Sequence, residues 1–80
     1  MHNFHLQIIL PESIEYIGEA FSIKLPATSG EMIILPAHEN YITSLQAGTI
    51  EYNSPDGEKT LEIQGGFCKF IDNKCEIIIL

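Results

Sequence analysis

Apolar and polar residues alternate along most of the chain, and a period of two is that of a β-strand with one buried face. In the first stretch the apolar residues share one face while His5 and Gln7 lie on the other. The residues of that apolar face are Phe4, Leu6, Ile8 and Leu10. No stretch holds the helical period of about 3.6 residues over the roughly ten residues that an amphipathic helix needs. The pattern therefore predicts an all-β protein.

Turn-forming residues separate the alternating stretches at intervals of about 8 to 12 residues, which is typical of a sandwich or small barrel. Ser54-Pro55-Asp56-Gly57 fits a type I turn with proline in its second position. Gly65-Gly66 indicates a kink or bulge at which a side chain would not fit. Further turn signals lie at Pro11-Glu12, Pro26–Gly30, Pro36–Asn40 and Gln46–Gly48. We expect one domain over residues 1–80.

The last hairpin carries both cysteines of the chain. If Ile71–Lys74 forms its turn, Phe70 faces Cys75 and Cys68 faces Ile77. The two thiols then lie on one side of the hairpin as diagonal neighbours, with Cα atoms about 7 to 8 Å apart. We expect free cysteines buried as small apolar side chains, beyond disulfide reach, in a reducing compartment.

The charge balance excludes several classes of partner. The 80 residues include eleven acidic side chains, four lysines and no arginine, for a formal charge of −7. Such a chain has no electrostatic means of binding nucleic acid or an anionic membrane surface. Its longest apolar runs, Met32–Leu35 and Ile77–Leu80, are four residues long. A membrane span needs about 20, so we expect no direct membrane insertion.

Candidate chemistry is sparse. The histidine and cysteine spacings match no metal-ligand pattern, and there is neither a Gly-x-Ser-x-Gly nucleophile motif nor a phosphate-binding glycine loop. We expect no catalytic residue, no metal and no cofactor. Several isoleucines, however, have apolar neighbours of the opposite parity, so both faces of their strands are apolar. They are Ile9, Ile17, Ile34, Ile42 and Ile78. This surplus favours an interaction module over an enzyme.

One segment resembles a known family. Gly30–His38 is similar to the Gly-Glu-x-Gly-(apolar)-x-Pro-Gly-His signature of the ε subunit of F-type ATP synthases, with Ile33 and Ala37 in place of its glycines. Tyr41–Gly48 resembles that family's Leu-Leu-Thr-x-Leu-x-Pro-Gly, and Gln64–Phe67 resembles its Ser-Gly-Gly-Phe. The resemblance implies an antiparallel β-sandwich of two roughly five-stranded sheets. It also implies that the family's C-terminal helical hairpin is missing from these residues.

The resemblance further implies a role and a set of contact residues. It implies a non-catalytic rotor subunit of the central stalk, linking the γ shaft to the c ring, with α and β subunits in the same complex. The location implied is peripheral, at the cytoplasmic face of the bacterial inner membrane. Glu31 and His38 would contact the c ring. The expected γ-facing residues are Tyr41, Ile42, Thr43, Gln64 and Gly65.

A second hypothesis stays open beside the rotor role. Glu31 and His38 flank one short strand, so they could share a cleft and act as an acid–base pair in a small enzyme. A small β-sandwich that binds a ligand is a third reading. A concave pocket between Glu31 and His38 would favour the enzyme, and a bound small molecule together with loss of γ binding would favour the ligand-binding protein.

Overall fold

The strands of the molecule follow the alternating pattern closely. A computed structural model describes residues 2–80, and within them lie nine β-strands and no helix. The strands are β1 Phe4–Ile9, β2 Ile14–Ala20, β3 Ser22–Ala27, β4 Gly30–Ile34, β5 Tyr41–Leu45, β6 Gly48–Ser54, β7 Gly57–Ile63, β8 Gly66–Ile71 and β9 Lys74–Ile79. The all-β prediction is confirmed. Residues 2–80 thus contain no helix long and apolar enough to cross a membrane.

Hydrogen bonds join the nine strands into one sheet, which has two parts. We call β2-β1-β9-β8-β5 the first half-sheet and β4-β3-β6-β7 the second half-sheet. The junction between them is narrow, since β3 and β5 pair in register only at Ala27 and Leu45. Two backbone bonds flank that pair, from Thr28 N to Ser44 O (3.0 Å) and from Gln46 N to Pro26 O (2.8 Å). The sheet curls at this junction so that its halves pack face to face.

This arrangement refines the expected pair of five-stranded sheets. The halves contain five and four strands, and the junction keeps them in one hydrogen-bonded sheet. All pairings but one are antiparallel; β1 and β9 run parallel, with Leu6 beside Cys75 and Ile8 beside Ile77. The parallel pair brings the first strand of the chain between β2 and the last strand. Local alternation carries no information about such a long-range pairing.

The core fills the space between the two half-sheets with the inward residues of every strand. Its largest fully buried side chains are Phe4, Leu6, Ile8, Ile23, Leu25, Ile34, Ile50, Phe70 and Ile77. The rings of Phe4 and Phe70 meet edge to face, with centroids 5.6 Å apart. The ring centroids of Tyr16 in β2 and Tyr52 in β6 lie 5.1 Å apart, and this contact closes the side of the sandwich opposite the junction. Burial of these apolar faces is the main source of stability.

The strand pairing confirms two of the predicted turns, whereas Pro26 and Ala27 of the expected Pro26–Gly30 turn belong to β3 and pair with Glu31 and Gly30 of β4. Phe70 pairs with Cys75 and Cys68 with Ile77 across the β8–β9 hairpin. The β6–β7 hairpin turns at Pro55-Asp56, where the Ser54 hydroxyl accepts the Asp56 N–H at 3.2 Å. A Cβ on Gly66 would lie 2.4 Å from the Ile78 carbonyl oxygen, so only glycine lets β8 approach β9 this closely.

Candidate interaction surfaces

The outer face of the first half-sheet carries a continuous row of apolar side chains. Ile9 of β1 pairs with Ile14 of β2 and with Ile78 of β9, and Ile78 pairs in turn with Phe67 of β8. We call these four residues the apolar row. Phe67 is 51% exposed and Ile78 is 44% exposed. A row that crosses four adjacent strands presents contiguous apolar surface to solvent, which is typical of a contact site for another protein.

Other apolar residues extend this surface. Ile17 of β2 pairs with Gln7, and Ile42 of β5 pairs with Lys69, so both isoleucines lie in the cross-strand row next to the apolar row. Leu80 follows Ile78 on the same face. Four of the five surplus isoleucines of the sequence thus point outward on the first half-sheet, whereas Ile34 belongs to the core. The sequence pattern did not single out Phe67. The same criterion could have identified it, because the alternate positions of β8, which face the core, are also apolar.

The outer face of the second half-sheet is polar and acidic. Its glutamates are Glu31, Glu51, Glu58 and Glu62. Lys24 lies among them, with its Nζ 3.2 Å from Glu51 Oε2 and 3.8 Å from Glu31 Oε2. The hydrogen bond with Glu51, and then the charge of Glu31, raise the pKa of the Lys24 ammonium. Ile33 is the apolar exception within this face and is 56% exposed.

The structure places Glu31 and His38 beyond each other's reach. Glu31 is the second residue of β4, and His38 lies in the loop beyond the far end of that strand. The strand between Glu31 and Ile34 alone spans about 10 Å. Two pockets have volumes of about 320 and 220 Å³; the lining of the first includes His5, Lys69 and Lys74, and that of the second includes Lys24 and Glu51. Neither pocket is lined by Glu31 or His38, so the geometry gives the acid–base hypothesis no support.

The loop that presents His38 is tied to the β8–β9 turn. Ala37 N donates to Asn73 Oδ1 at 2.7 Å, and Asp72 N donates to Asn40 Oδ1 at 3.0 Å. Ala37 adopts a φ of 65°, in the left-handed region that favours glycine. The His38 ring meets Phe70 edge to face at 5.7 Å. These contacts fix the loop that connects the second half-sheet to the first.

The residues expected to face γ do not share one face. Ile42 points outward and is 66% exposed, whereas Tyr41 and Thr43 pair with the inward residues Phe70 and Cys68. Alternation along β5 makes this division unavoidable. Gln64 is exposed, and the Gly65 carbonyl accepts the backbone N–H of Leu80 at 3.1 Å. Ile42, Gln64 and Gly65 therefore border the apolar surface, while Tyr41 and Thr43 are reached only from the edge of the sandwich.

Residues 3–79 match the family model described as ATP synthase, Delta/Epsilon chain, beta-sandwich domain. The chain belongs to this family. Among its relatives, an ATP synthase epsilon chain of Endomicrobium trichonymphae is 33% identical over 78 residues, covering 98% of this chain and 56% of the relative. An ATP synthase epsilon chain of Helicobacter pylori is 33% identical over 73 residues, covering 91% and 59%. The chain thus spans less than two thirds of the length of these relatives.

Solved structures show the same fold. A chain of the Euglena gracilis mitochondrial ATP synthase, in a structure of OSCP, F1 and c-ring, superposes with a TM-score of 0.90 at 22% identity. That match covers 99% of this chain and 51% of the other. A chain in the central stalk and c-ring of the Tetrahymena thermophila mitochondrial ATP synthase superposes with a TM-score of 0.80 at 15% identity, covering 95% and 62%. The β-sandwich is therefore retained despite low sequence identity.

Proposed function

We propose that this chain is a non-catalytic rotor component of an F-type proton-translocating ATP synthase, which links the γ shaft to the c ring and so couples proton-driven rotation to ATP synthesis. Membership of the delta/epsilon β-sandwich family supports this role, as do relatives named ATP synthase epsilon chain. The proposed partners are γ and the c ring, with α and β in the same complex. The proposed location is peripheral, at the cytoplasmic face of a bacterial inner membrane.

The apolar row is the observation that carries the proposal. Its side chains contribute little to the core, because they point away from it, yet they expose apolar area across four strands. An outward row of this kind is stabilised when a partner covers it. We assign γ to this face, with the row at the centre of the contact. Ile42, Gln64 and Gly65 would lie at its border, and Tyr41 and Thr43 at the sandwich edge.

The second proposed contact is with the c ring, through Glu31 and His38. β4 pairs only with β3, so its other edge is free of strand partners within residues 2–80. A c-ring loop that touches both residues must follow this edge, because they lie at its two ends. Glu31 is available to a cationic partner, since its side chain is 67% exposed and Lys24 lies closer to Glu51. Such a contact would be a charge-assisted hydrogen bond.

A binding titration against isolated γ tests the first contact. We expect Ile78→Glu to weaken binding by at least about tenfold, because it places a charge in the centre of the γ contact. The control is Ile33→Glu, an isoleucine on the second half-sheet that is 56% exposed against 44% for Ile78; in a titration against isolated γ, the proposed c-ring contact at β4 plays no part. Equal losses from the two variants, or no loss from Ile78→Glu, would contradict the assignment of γ to the apolar row.

The c-ring contact is separated from the γ contact by a second pair of variants. Glu31→Lys should weaken binding to the c ring and leave binding to isolated γ unchanged, with a circular dichroism spectrum like that of the wild type. Glu58→Lys is its control, because Glu58 is an exposed glutamate of the same outer face in β7, away from β4. Unchanged c-ring binding by Glu31→Lys would remove Glu31 from the proposed interface.

A further inference from the structure

The inward face of the β8–β9 hairpin brings the two cysteines of the chain together. Cys68 and Cys75 are each 1% exposed, and both are free thiols. Their diagonal positions led us to expect thiols beyond disulfide reach. The side chains instead converge, and the two Sγ atoms lie 3.8 Å apart.

We propose that Cys68 and Cys75 are a site of reversible thiol oxidation, at which an intramolecular disulfide forms within the core. The Sγ–Sγ separation of 3.8 Å must shrink to about 2.0 Å for a bond, so each sulfur moves by roughly 0.9 Å. Rotation of both side chains about their Cα–Cβ bonds has to supply this movement. The backbone on either side is held, because β8 is paired with β5 and β9 with β1.

The contact between the two thiols couples their ionisation. The hydrogen bond from Cys75 lowers the pKa of the Cys68 thiol, while the same bond and then burial raise the pKa of Cys75. In the exchange, Cys68 acts as the attacking thiolate. Its thiolate attacks one sulfur of a low-molecular-weight disulfide, which forms a mixed disulfide and releases one small thiolate.

The second step completes the exchange. Cys75 gives up its proton and attacks Cys68 Sγ, which breaks the mixed disulfide and expels the second small thiol. Overall, two protein thiols and one small disulfide become one protein disulfide and two small thiols. Local opening of the hairpin admits the reagent, because both sulfurs are buried in the closed fold.

Oxidation would act on the inward side of the two strands that carry Phe67 and Ile78. The outward neighbours of the two cysteines on the same strands are Phe67, Lys69, Lys74 and Glu76. A cross-link on the inward side fixes the relative position of β8 and β9, and with them the spacing of Phe67 and Ile78. The inference itself depends only on the geometry of the two sulfurs and does not require the proposed rotor role.

Equilibration of the full chain in buffers of reduced and oxidised glutathione tests the proposal. After an acid quench, mass spectrometry should show the loss of two hydrogen atoms, and thiol counting should fall from two to none. We expect the equilibrium constant for disulfide formation to be at least about tenfold larger in the folded chain than in urea, since the fold holds the sulfurs together. By thermodynamic linkage, the oxidised chain should then also melt at a higher temperature than the reduced chain.

Controls distinguish a preformed pair from slow or accidental oxidation. The equilibrium is approached from both sides, with one sample oxidised in urea and then refolded, so that burial cannot hide the outcome. Cys68→Ala and Cys75→Ala each leave one thiol and should give no intramolecular product. The proposal is overturned if the folded chain keeps both thiols in buffers that oxidise the unfolded chain. It is equally overturned if the products are glutathione adducts or linked dimers.

Discussion

The two outer faces of the folded sheet differ in chemistry, although the same alternation builds both. On the first half-sheet the outward positions hold the apolar row of Ile9, Ile14, Phe67 and Ile78. On the second half-sheet the outward positions of the paired strands hold glutamates around a single lysine, Lys24. The inward faces of both halves are equally apolar and share one core.

This difference distinguishes outward residues that are stable in water from outward residues that are available to contact a partner. An outward glutamate remains solvated whether or not the chain is bound, and its cost to the free molecule is small. An outward row of isoleucine and phenylalanine contributes a favourable free energy only when another surface covers it and removes it from water. The first half-sheet is therefore the side on which a large contact is expected, whereas the second half-sheet stays hydrated whether or not a partner is bound.

The largest expected effect on stability comes from a substitution that disrupts the first half-sheet itself. Gly66→Val places a side chain where a Cβ alone would lie 2.4 Å from the Ile78 carbonyl oxygen, so β8 and β9 must separate. We expect a loss of about 3 kcal/mol or more in the free energy of unfolding, measured by urea denaturation. Gly65→Ala is the control, since its nearest neighbour would be the Leu45 carbonyl oxygen at an ordinary 3.6 Å. A Gly66→Val chain as stable as the wild type would show that the close approach is not required.

A pair of adjacent isoleucines compares the two faces of one strand. Ile77 is fully buried, and its replacement by alanine should cost about 2 to 5 kcal/mol through lost contacts and a cavity. Ile78→Ala, on the apolar row, should change the stability of the free chain by no more than about 0.5 kcal/mol. Thermal or urea unfolding of both variants gives the comparison. Similar costs at the two positions would mean that the row supports the fold rather than a partner.

A small rise in the free energy of unfolding is expected from a substitution in the loop that joins the half-sheets. Ala37 holds a φ of 65°, which costs an L-residue with a Cβ about 1 kcal/mol relative to glycine. Ala37→Gly should therefore raise the free energy of unfolding slightly, less the entropy that glycine adds to the unfolded chain. Ala47→Gly, in the β5–β6 turn, is a control with no positive φ to relieve. A destabilised Ala37→Gly chain would mean that the Asn73 contact holds the loop without strain.

The smallest effect concerns the acidic face. Lys24→Gln should lower the melting temperature by no more than a few degrees, because the ion pairs are exposed and screened by salt. The raised pKa of Lys24 means that its contribution is fully present below the unfolded value of 10.5 and is lost as the pH rises through the folded value. The difference from wild type should thus shrink at high salt and at alkaline pH. A difference that persists under both conditions would exclude an electrostatic origin.

Much of the fold was predictable because strand period and turn chemistry are local. The positions of Leu6 and Ile8 in the core, the Phe70–Cys75 register and the close approach at Gly66 all follow from neighbours within a hairpin or strand. The candidate site was harder to predict. Spacing along the chain placed Glu31 and His38 on either side of one short strand, but it could not show that the His38 loop is tied to the β8–β9 turn.

Other features depended on contacts between residues far apart in the chain. The parallel pairing of β1 with β9 aligns Ile9 with Ile78 and so assembles the apolar row from both ends of the sequence. The convergence of Cys68 and Cys75 depends on how their side chains lean within the packed core. Sequence alone determined which residues alternate, where the chain turns and which family it resembles. Tertiary structure decided which outward residues become neighbours, because pairing between distant strands is set by packing of the whole sheet rather than by local period.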